Sequence, residues 1–189
     1  ALFMLDDQLR HDAVAVVAAL QAAGVTVALL SGDRPQRVAH AARILGIRQW
    51  QGGATPAGKL DYVRELQARG AVVAMVGDGV NDAPVLAQAQ VSVAPGGGTA
   101  LAQTSADIVL MGDRLGALPS TLLMARRTLR VIRQNLAWAV AYNAVAVPLA
   151  LAGLVTPLIA AIGMSSSSLV VVANALRLAR ISRTRGAAQ

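Results

Sequence analysis

A chain of 189 residues that is 55% apolar, with a mean hydropathy of +0.53, is too greasy for an ordinary soluble domain, so part of it is expected in lipid. The net charge of +7 does not describe a nucleic-acid binder, because aromatics are only 3% and offer no stacking platform. The absence of cysteine excludes disulfides and thiolate metal sites within this chain.

The first 115 residues alternate helix-like and strand-like patterns, as a parallel sheet with crossover helices requires. Residues Ala13 to Ala23 read as a helix ending at Gly24, and Val25 to Leu30 as a continuous apolar strand closed by Ser31-Gly32-Asp33. Pro35 to Leu45 is a helix stopped by Gly46, Ile47 to Trp50 a short strand, and Pro56 to Arg69 a helix stopped by Gly70. A strand at Val72 to Val76, a helix at Ala83 to Ala89 and a strand at Val91 to Val93 follow. The glycine-rich loop Gly96-Gly97-Gly98 then leads to a last strand at Ile108 to Met111.

Beyond residue 115 the pattern changes. A basic connecting helix is expected over 116–133, two membrane spans over about 135–155 and 157–176, and a basic cytoplasmic tail over 179–189. Residues 1–125 hold nine Lys and Arg against all ten Asp and Glu, whereas the remainder holds eight Arg and no acid. Four of these arginines precede an uncharged stretch from Gln134 to Leu176, and four follow it. That asymmetry puts both ends of a helical hairpin in the cytoplasm. A pair of buried helices in a soluble protein is the alternative. The N-terminus has no basic region, so no secretory signal is expected, and the abrupt start at Ala1 suggests an excerpt of something longer.

The most informative stretch is Gly77-Asp78-Gly79-Val80-Asn81-Asp82-Ala83-Pro84. It leaves a buried strand at the carboxyl end, where open α/β sheets place ligands. Asp78 and Asp82 supply hard oxygens suited to Mg²⁺, and the Asn81 amide can donate to a phosphate oxygen. Ser31 and Gly32 offer a hydroxyl and N–H groups to a phosphate from the end of another strand, with Asp33 beside them. Lys59, in the first turn of its helix, can reach the same anion. Each is weak alone, since Ser-Gly-Asp is usually a turn and a helical lysine usually a surface residue. Together they suit phosphoryl transfer, which depends on positioning and charge neutralisation.

Within the apolar hairpin, Tyr142 and Asn143 lie mid-span in the first helix, and Met164 and Ser168 share a face of the second. A thioether with amide and hydroxyl oxygens suits Cu(I), and the lack of a carboxylate or lysine between 134 and 176 favours Cu(I) over a hard divalent ion. Helix packing through small residues at Gly163 and Ser165 to Ser168 remains open for the same positions.

The order Ser31-Gly32-Asp33, Pro56…Lys59 and Gly77 to Pro84 resembles the phosphorylation domain of P-type ATPases. Tyr142-Asn143, Met164 to Ser168 and the run Val170 to Leu178 resemble the last two membrane helices of the copper-transporting heavy-metal (P1B) subfamily, closest to the branch serving cbb3-type cytochrome oxidase assembly. The resemblance covers nearly the whole chain. It implies a partial HAD-like phosphorylation domain, with a Rossmann-type parallel sheet, followed by a transmembrane hairpin. It also implies an ATP-driven Cu(I) pump that forms and hydrolyses an aspartyl-phosphate. Asp78 and Asp82 would then hold Mg²⁺, while Ser31, Gly32, Lys59 and Asn81 would hold the phosphoryl group and Asp33 would lie near the nucleotide. Tyr142, Asn143, Met164 and Ser168 would form the copper site. Membrane lipid, the rest of the ATPase chain and a copper chaperone are the implied partners.

Several departures stand out. Ser31 replaces the family's usual threonine, Gly58 a commonly acidic residue, which would loosen that turn, and Ala94-Pro95-Gly96-Gly97-Gly98 a Met-Gly-x-Gly pattern. No Asp-Lys-Thr-Gly-Thr occurs, so the phosphorylated aspartate is missing and the chain should be inactive alone. A membrane-anchored HAD-type phosphatase, or a non-catalytic membrane module, are the competing readings.

Overall fold

The structure, a computed structural model, describes residues 9–78, 80–112 and 115–186, with side chains up to residue 178. Gly79 of the octet and the side chains of Arg180, Arg183 and Arg185 therefore lie outside the described residues. The elements are α1 (Ala13–Ala22), β1 (Ala28–Leu30), α2 (Pro35–Leu45), β2 (Gln49–Gln51), α3 (Pro56–Ala68) and β3 (Ala74–Val76). A 3₁₀ turn (Val80–Asp82), α4 (Ala83–Gln88), β4 (Val91–Pro95), α5 (Ala100–Ser105), β5 (Ile108–Leu110), α6 (Ala117–Leu151) and α7 (Pro157–Gly186) complete the order. Two compact units divide between Ser120 and Thr121, inside α6.

The first unit is the parallel α/β arrangement expected of a HAD-like fold, but its sheet comes in two pieces. β1 pairs with β2, in register Ala28 to Gln49, while β3, β4 and β5 form a separate parallel sheet. β1 and β3 are each edge strands with one free side, and each carries exposed apolar residues there, Val76 being 42% exposed. The core is split the same way. Val17, Ala42 and Ile47 pack under β1, whereas Leu86, Ala94 and Ala102 pack against β3 and β4 through Met75.

Two sequence expectations need correction. The runs at Val25 and Val72 join a ladder only from Ala28 and Ala74, opposite Gln49 and Val91, where the partner strands β2 and β4 begin. The glycine-rich loop was expected to lead straight to β5, yet it opens the short helix α5, capped by Thr99, whose hydroxyl accepts from the Ala102 N–H at 3.3 Å.

Ser92 is 3% exposed and clasps Asp107. The carboxylate of Asp107 accepts from the Ser92 N–H (2.8 Å) and hydroxyl (2.7 Å), and the Asp107 N–H donates to the Ser92 hydroxyl at 2.9 Å. This clasp ties β4 to the start of β5.

The second unit contains most of α6 together with α7. Helix α6 ends in a left-handed turn at Gly153 (φ 71°), whose N–H donates to Ala150 while Leu154 N–H reaches Leu149. The helix therefore stops at Leu151 rather than running on to Val155. Proline at the first position of α7 and the Thr156 carbonyl, which accepts from Ala160 N–H, start the return. Pro157–Leu178 is the one stretch among the described residues that is long and apolar enough to cross a membrane, with a mean hydropathy of 1.7.

The hydrogen bonds from Ser92 hold the Asp107 carboxyl below the usual aspartate value of 3.8. A depressed pKa stabilises the fold above the unfolded value, and that stabilisation fades as pH falls through the folded one. The stability gap between the parent sequence and Asp107→Asn should therefore be full at neutral pH and close as acid titrates below about pH 4. Urea unfolding at a series of pH values checks this, and a gap that persists at the acid end would contradict it.

Candidate functional site

Helix α3 begins where β2 leaves the small sheet. Thr55 caps it, accepting the Gly58 N–H at 3.0 Å and, through its carbonyl, the Lys59 N–H at 2.9 Å. The turn at Gly58 is thus closed rather than loosened, because the cap reaches past the missing side chain. Capping sets Lys59 one turn into the helix. At the other end of α3, Gln67 exchanges hydrogen bonds with α4, donating to the Gln88 carbonyl and accepting from the Gln88 amide, both at 2.8 Å. The two helices are therefore held side by side.

That packing brings Lys59 to Asp82. The ammonium and carboxylate meet at 2.7 Å, with side chains 14% and 13% exposed. Charges so far removed from water need each other, because an unpaired partner would carry its full desolvation cost. Gly77 makes the approach possible. A Cβ there would lie 2.8 Å from the Asp82 Cβ and 3.2 Å from its Oδ2, so any side chain would displace the carboxylate.

Asp78 and Asn81 are exposed on the same loop, facing away from the core. Ser31 and Asp33 lie after β1. The Ser31 hydroxyl accepts from the Asp33 N–H at 3.2 Å, and Asp33 accepts from the Arg34 N–H at 2.7 Å. The Gly53 and Ala54 N–H groups bond the Asp33 and Ser31 carbonyls, at 2.7 and 2.9 Å, lashing this turn to the exit of β2. Among the described residues, the predicted site residues meet in two separate pairs, Lys59 with Asp82 and Ser31 with Asp33. No hydrogen bond joins the first pair to Ser31, Asp33, Asp78 or Asn81.

No group of three or more His, Cys, Asp or Glu gathers among the described residues. Two carboxylates at a strand end nevertheless suit Mg²⁺, which keeps several waters and shares its shell with a phosphate. A thiolate- or imidazole-rich centre has no counterpart here.

The hairpin has its own polar features. Tyr142 packs on Gly163, where a Cβ would lie 2.8 Å from the phenol oxygen. The Trp138 indole N–H donates to the Ser167 hydroxyl at 3.1 Å, and Asn174 donates to Asn135 at 2.9 Å and to Gln134 at 3.2 Å. Asn143 returns its amide to the Ala139 carbonyl of its own helix, at 2.8 Å. It also lines a shallow, mostly apolar groove with Ala144 and Pro148. Met164 is 66% exposed, and Ser168, four residues on, is exposed as well. The structure thus sets Tyr142 beside the turn that bears Met164, while the Asn143 amide is spent on its own helix at Ala139.

Sequence reasoning missed Gly77 as a spacer, the Trp138–Ser167 bond and the Asn135–Asn174 clasp. An amide in an apolar helix demands a partner, and that rule would have flagged the clasp.

A haloacid dehalogenase-like hydrolase family model matches residues 1–90. The nitrogen fixation protein FixI of Rhizobium leguminosarum bv. viciae is 48% identical over 94% of this chain, and a copper-exporting P-type ATPase of Mycobacterium tuberculosis is 44% identical over 94%. The crystal structure of a zinc-transporting PIB-type ATPase in its E2.Pi state matches 91% of the chain with a TM-score of 0.86 at 36% identity. The catalytic domain of the CPx-ATPase CopB-B matches 57% with a TM-score of 0.55 at 34% identity. The chain is a homologue of heavy-metal P-type ATPases. It spans about a quarter of its curated relatives, 23% of each of the two named, and 28% of the zinc-transporting ATPase.

Replacing Lys59 by Met should leave the Asp82 carboxylate unpaired at low exposure and cost about 2 kcal/mol of stability. Replacing both residues by apolar ones should recover much of that loss. Equilibrium unfolding of the three variants checks both statements, and an unchanged Lys59→Met would contradict them.

Proposed function

We propose that this chain is the closing section of an ATP-driven Cu(I) transporter, contributing half of a phosphoryl-transfer site and the last two membrane helices. The Lys59–Asp82 pair beside Asp78 carries this reading. It is a cation and two carboxylates gathered at the carboxyl ends of parallel strands, in a chain whose hairpin packs Tyr142 on Gly163, the residue before Met164.

In this reading Asp78 and Asp82 hold Mg²⁺, whose charge, when bound, offsets that of the phosphoryl group. Lys59 places a cation against a phosphoryl oxygen. The hydroxyl of Ser31, the N–H groups of the Gly32 turn and the amide of Asn81 orient the same group, and Asp33 lies near the nucleotide. The acceptor aspartate comes from elsewhere in the full-length protein. The free edges of β1 and β3 support this, since the unpaired backbone groups of each can still take an added strand.

Cu(I) is the cargo. Met164 supplies a soft thioether, with Tyr142, Asn143 and Ser168 as oxygen donors. The exposed outer face of the hairpin is covered by lipid and by the remaining membrane helices, in a multi-pass protein with both ends of this section in the cytoplasm. The copper-exporting relative supports copper, whereas the zinc-transporting neighbour makes Zn²⁺ the competing cargo.

Two measurements on the full-length protein test the assignment. Asp78→Asn should lower Mg²⁺-dependent ATP hydrolysis by roughly a hundredfold or more, and near-normal turnover would remove Asp78 from the site. Met164→Ala should weaken Cu(I) binding in detergent about tenfold, some 1.4 kcal/mol. Unchanged Cu(I) affinity would leave Met164 a packing residue.

A further inference from the structure

The loop between β4 and α5 makes closer contact with Asp78 than a strand-to-helix connection requires. A Cβ built on Gly98 would lie 3.2 Å from the Asp78 carbonyl oxygen, 3.3 Å from the Asp78 Cα and 3.0 Å from the Pro95 carbonyl oxygen. The Thr99 N–H donates to that same Asp78 carbonyl at 2.9 Å. Gln103, one turn into α5, donates to the Gly96 carbonyl at 2.8 Å and the Gly98 carbonyl at 3.1 Å. On its far side the loop is pressed against β5, where a Cβ on Gly96 would meet the Leu110 carbonyl oxygen at 2.6 Å. The loop is therefore wedged between the exit of β5 and the main chain of Asp78.

Turn chemistry alone does not ask for this. Thr99 would cap α5, and Pro95 would accept the Gly98 N–H, with the loop swung away from β3. What the contacts achieve is restraint of one peptide. Asp78 is exposed, so packing does not fix its side chain, and its carboxylate can be placed only as well as its Cα is. A ligand must be held within about 0.5 Å to work.

We propose that Gly98 and Thr99 are positioning residues for Asp78, clamping its main chain so that the carboxylate meets Mg²⁺ in a fixed place. This rests on the magnesium reading of Asp78 given above. Pro95 fits this arrangement, because the loop uses its carbonyl, which accepts from the Gly98 N–H at 2.9 Å. Gln103 serves the clamp from behind by tying down the two glycine carbonyls.

The test is titration of the full-length ATPase with Mg²⁺ alone, without nucleotide, reading the apparent Kd from the Mg²⁺-dependent shift in thermal unfolding. Gly98→Ala forces the Asp78 backbone aside and should raise that Kd about tenfold, as loss of a supporting contact around a metal ligand commonly does. A second pair of variants covers the case in which Gly98→Ala fails to fold. Thr99 has φ −65°, which proline accepts, so Thr99→Pro deletes the N–H that reaches Asp78, whereas Thr99→Ala deletes only the capping hydroxyl. Thr99→Pro should weaken Mg²⁺ binding, and Thr99→Ala should leave it within about twofold. If Gly98→Ala and Thr99→Pro bind Mg²⁺ like the parent while Asp78→Asn loses it, the clamp is overturned and the magnesium reading stands. If Asp78→Asn also binds normally, both fall.

Discussion

One ion pair organises the end of the domain where chemistry would occur. Lys59 comes from α3 and Asp82 from the 3₁₀ turn that leads into α4, and each is so far removed from water that neither would be tolerated alone. Their meeting depends on three local facts: the Thr55 cap that begins α3, the Gln67–Gln88 exchange that holds α3 beside α4, and the missing side chain at Gly77. The pair keeps a cation and a carboxylate mutually neutral. Under the function proposed above, a phosphoryl group with Mg²⁺ would offer each a new counter-charge, the anion to Lys59 and the metal to Asp82, from positions the fold already holds.

The divided sheet follows from the same economy of contacts. Each piece buries its own small cluster, Val17 with Ala42 and Ile47 in one, Leu86 with Ala94 and Ala102 in the other. The helices α3 and α4 bridge them through the glutamine exchange and the ion pair rather than through a shared ladder. Stability that rests on two polar contacts and two modest cores is limited, because buried apolar area supplies most of the favourable free energy. The exposed Val72 and Val76 mark where more apolar surface would have to be covered.

In the hairpin the balance is different. Its two helices leave many of their leucines and valines exposed, so close packing at Gly163 and a few hydrogen bonds set their register. The contacts Asn135 to Asn174, Trp138 to Ser167 and Tyr142 to Gly163 run in antiparallel order along one face of α6. Together they fix which turn of α7 lies beside Tyr142, and that turn is the one bearing Met164.

The sequence made the local signals readable and left the distant ones hidden. Proline at the starts of α2 and α3, with glycine after each helix, marked their boundaries within a residue or two, because caps act through neighbouring backbone groups. The turns that follow β1 and β3 were legible for the same reason. Helix α5 was not, since six residues without an apolar period, behind three glycines, look like loop until Thr99 is seen to cap them. Nor could spacing show that Lys59 pairs with Asp82 rather than standing free, or that Gly77 exists to admit that carboxylate: both depend on how α3 lies against α4. The membrane amides hold the middle ground. Asn135 and Asn174 are visible in the sequence, and an amide carbonyl and two N–H donors in an apolar helix must each find a partner. The demand is legible from residue type alone, while the identity of the partner is fixed only once the turn at Gly153 sets the register of the two helices.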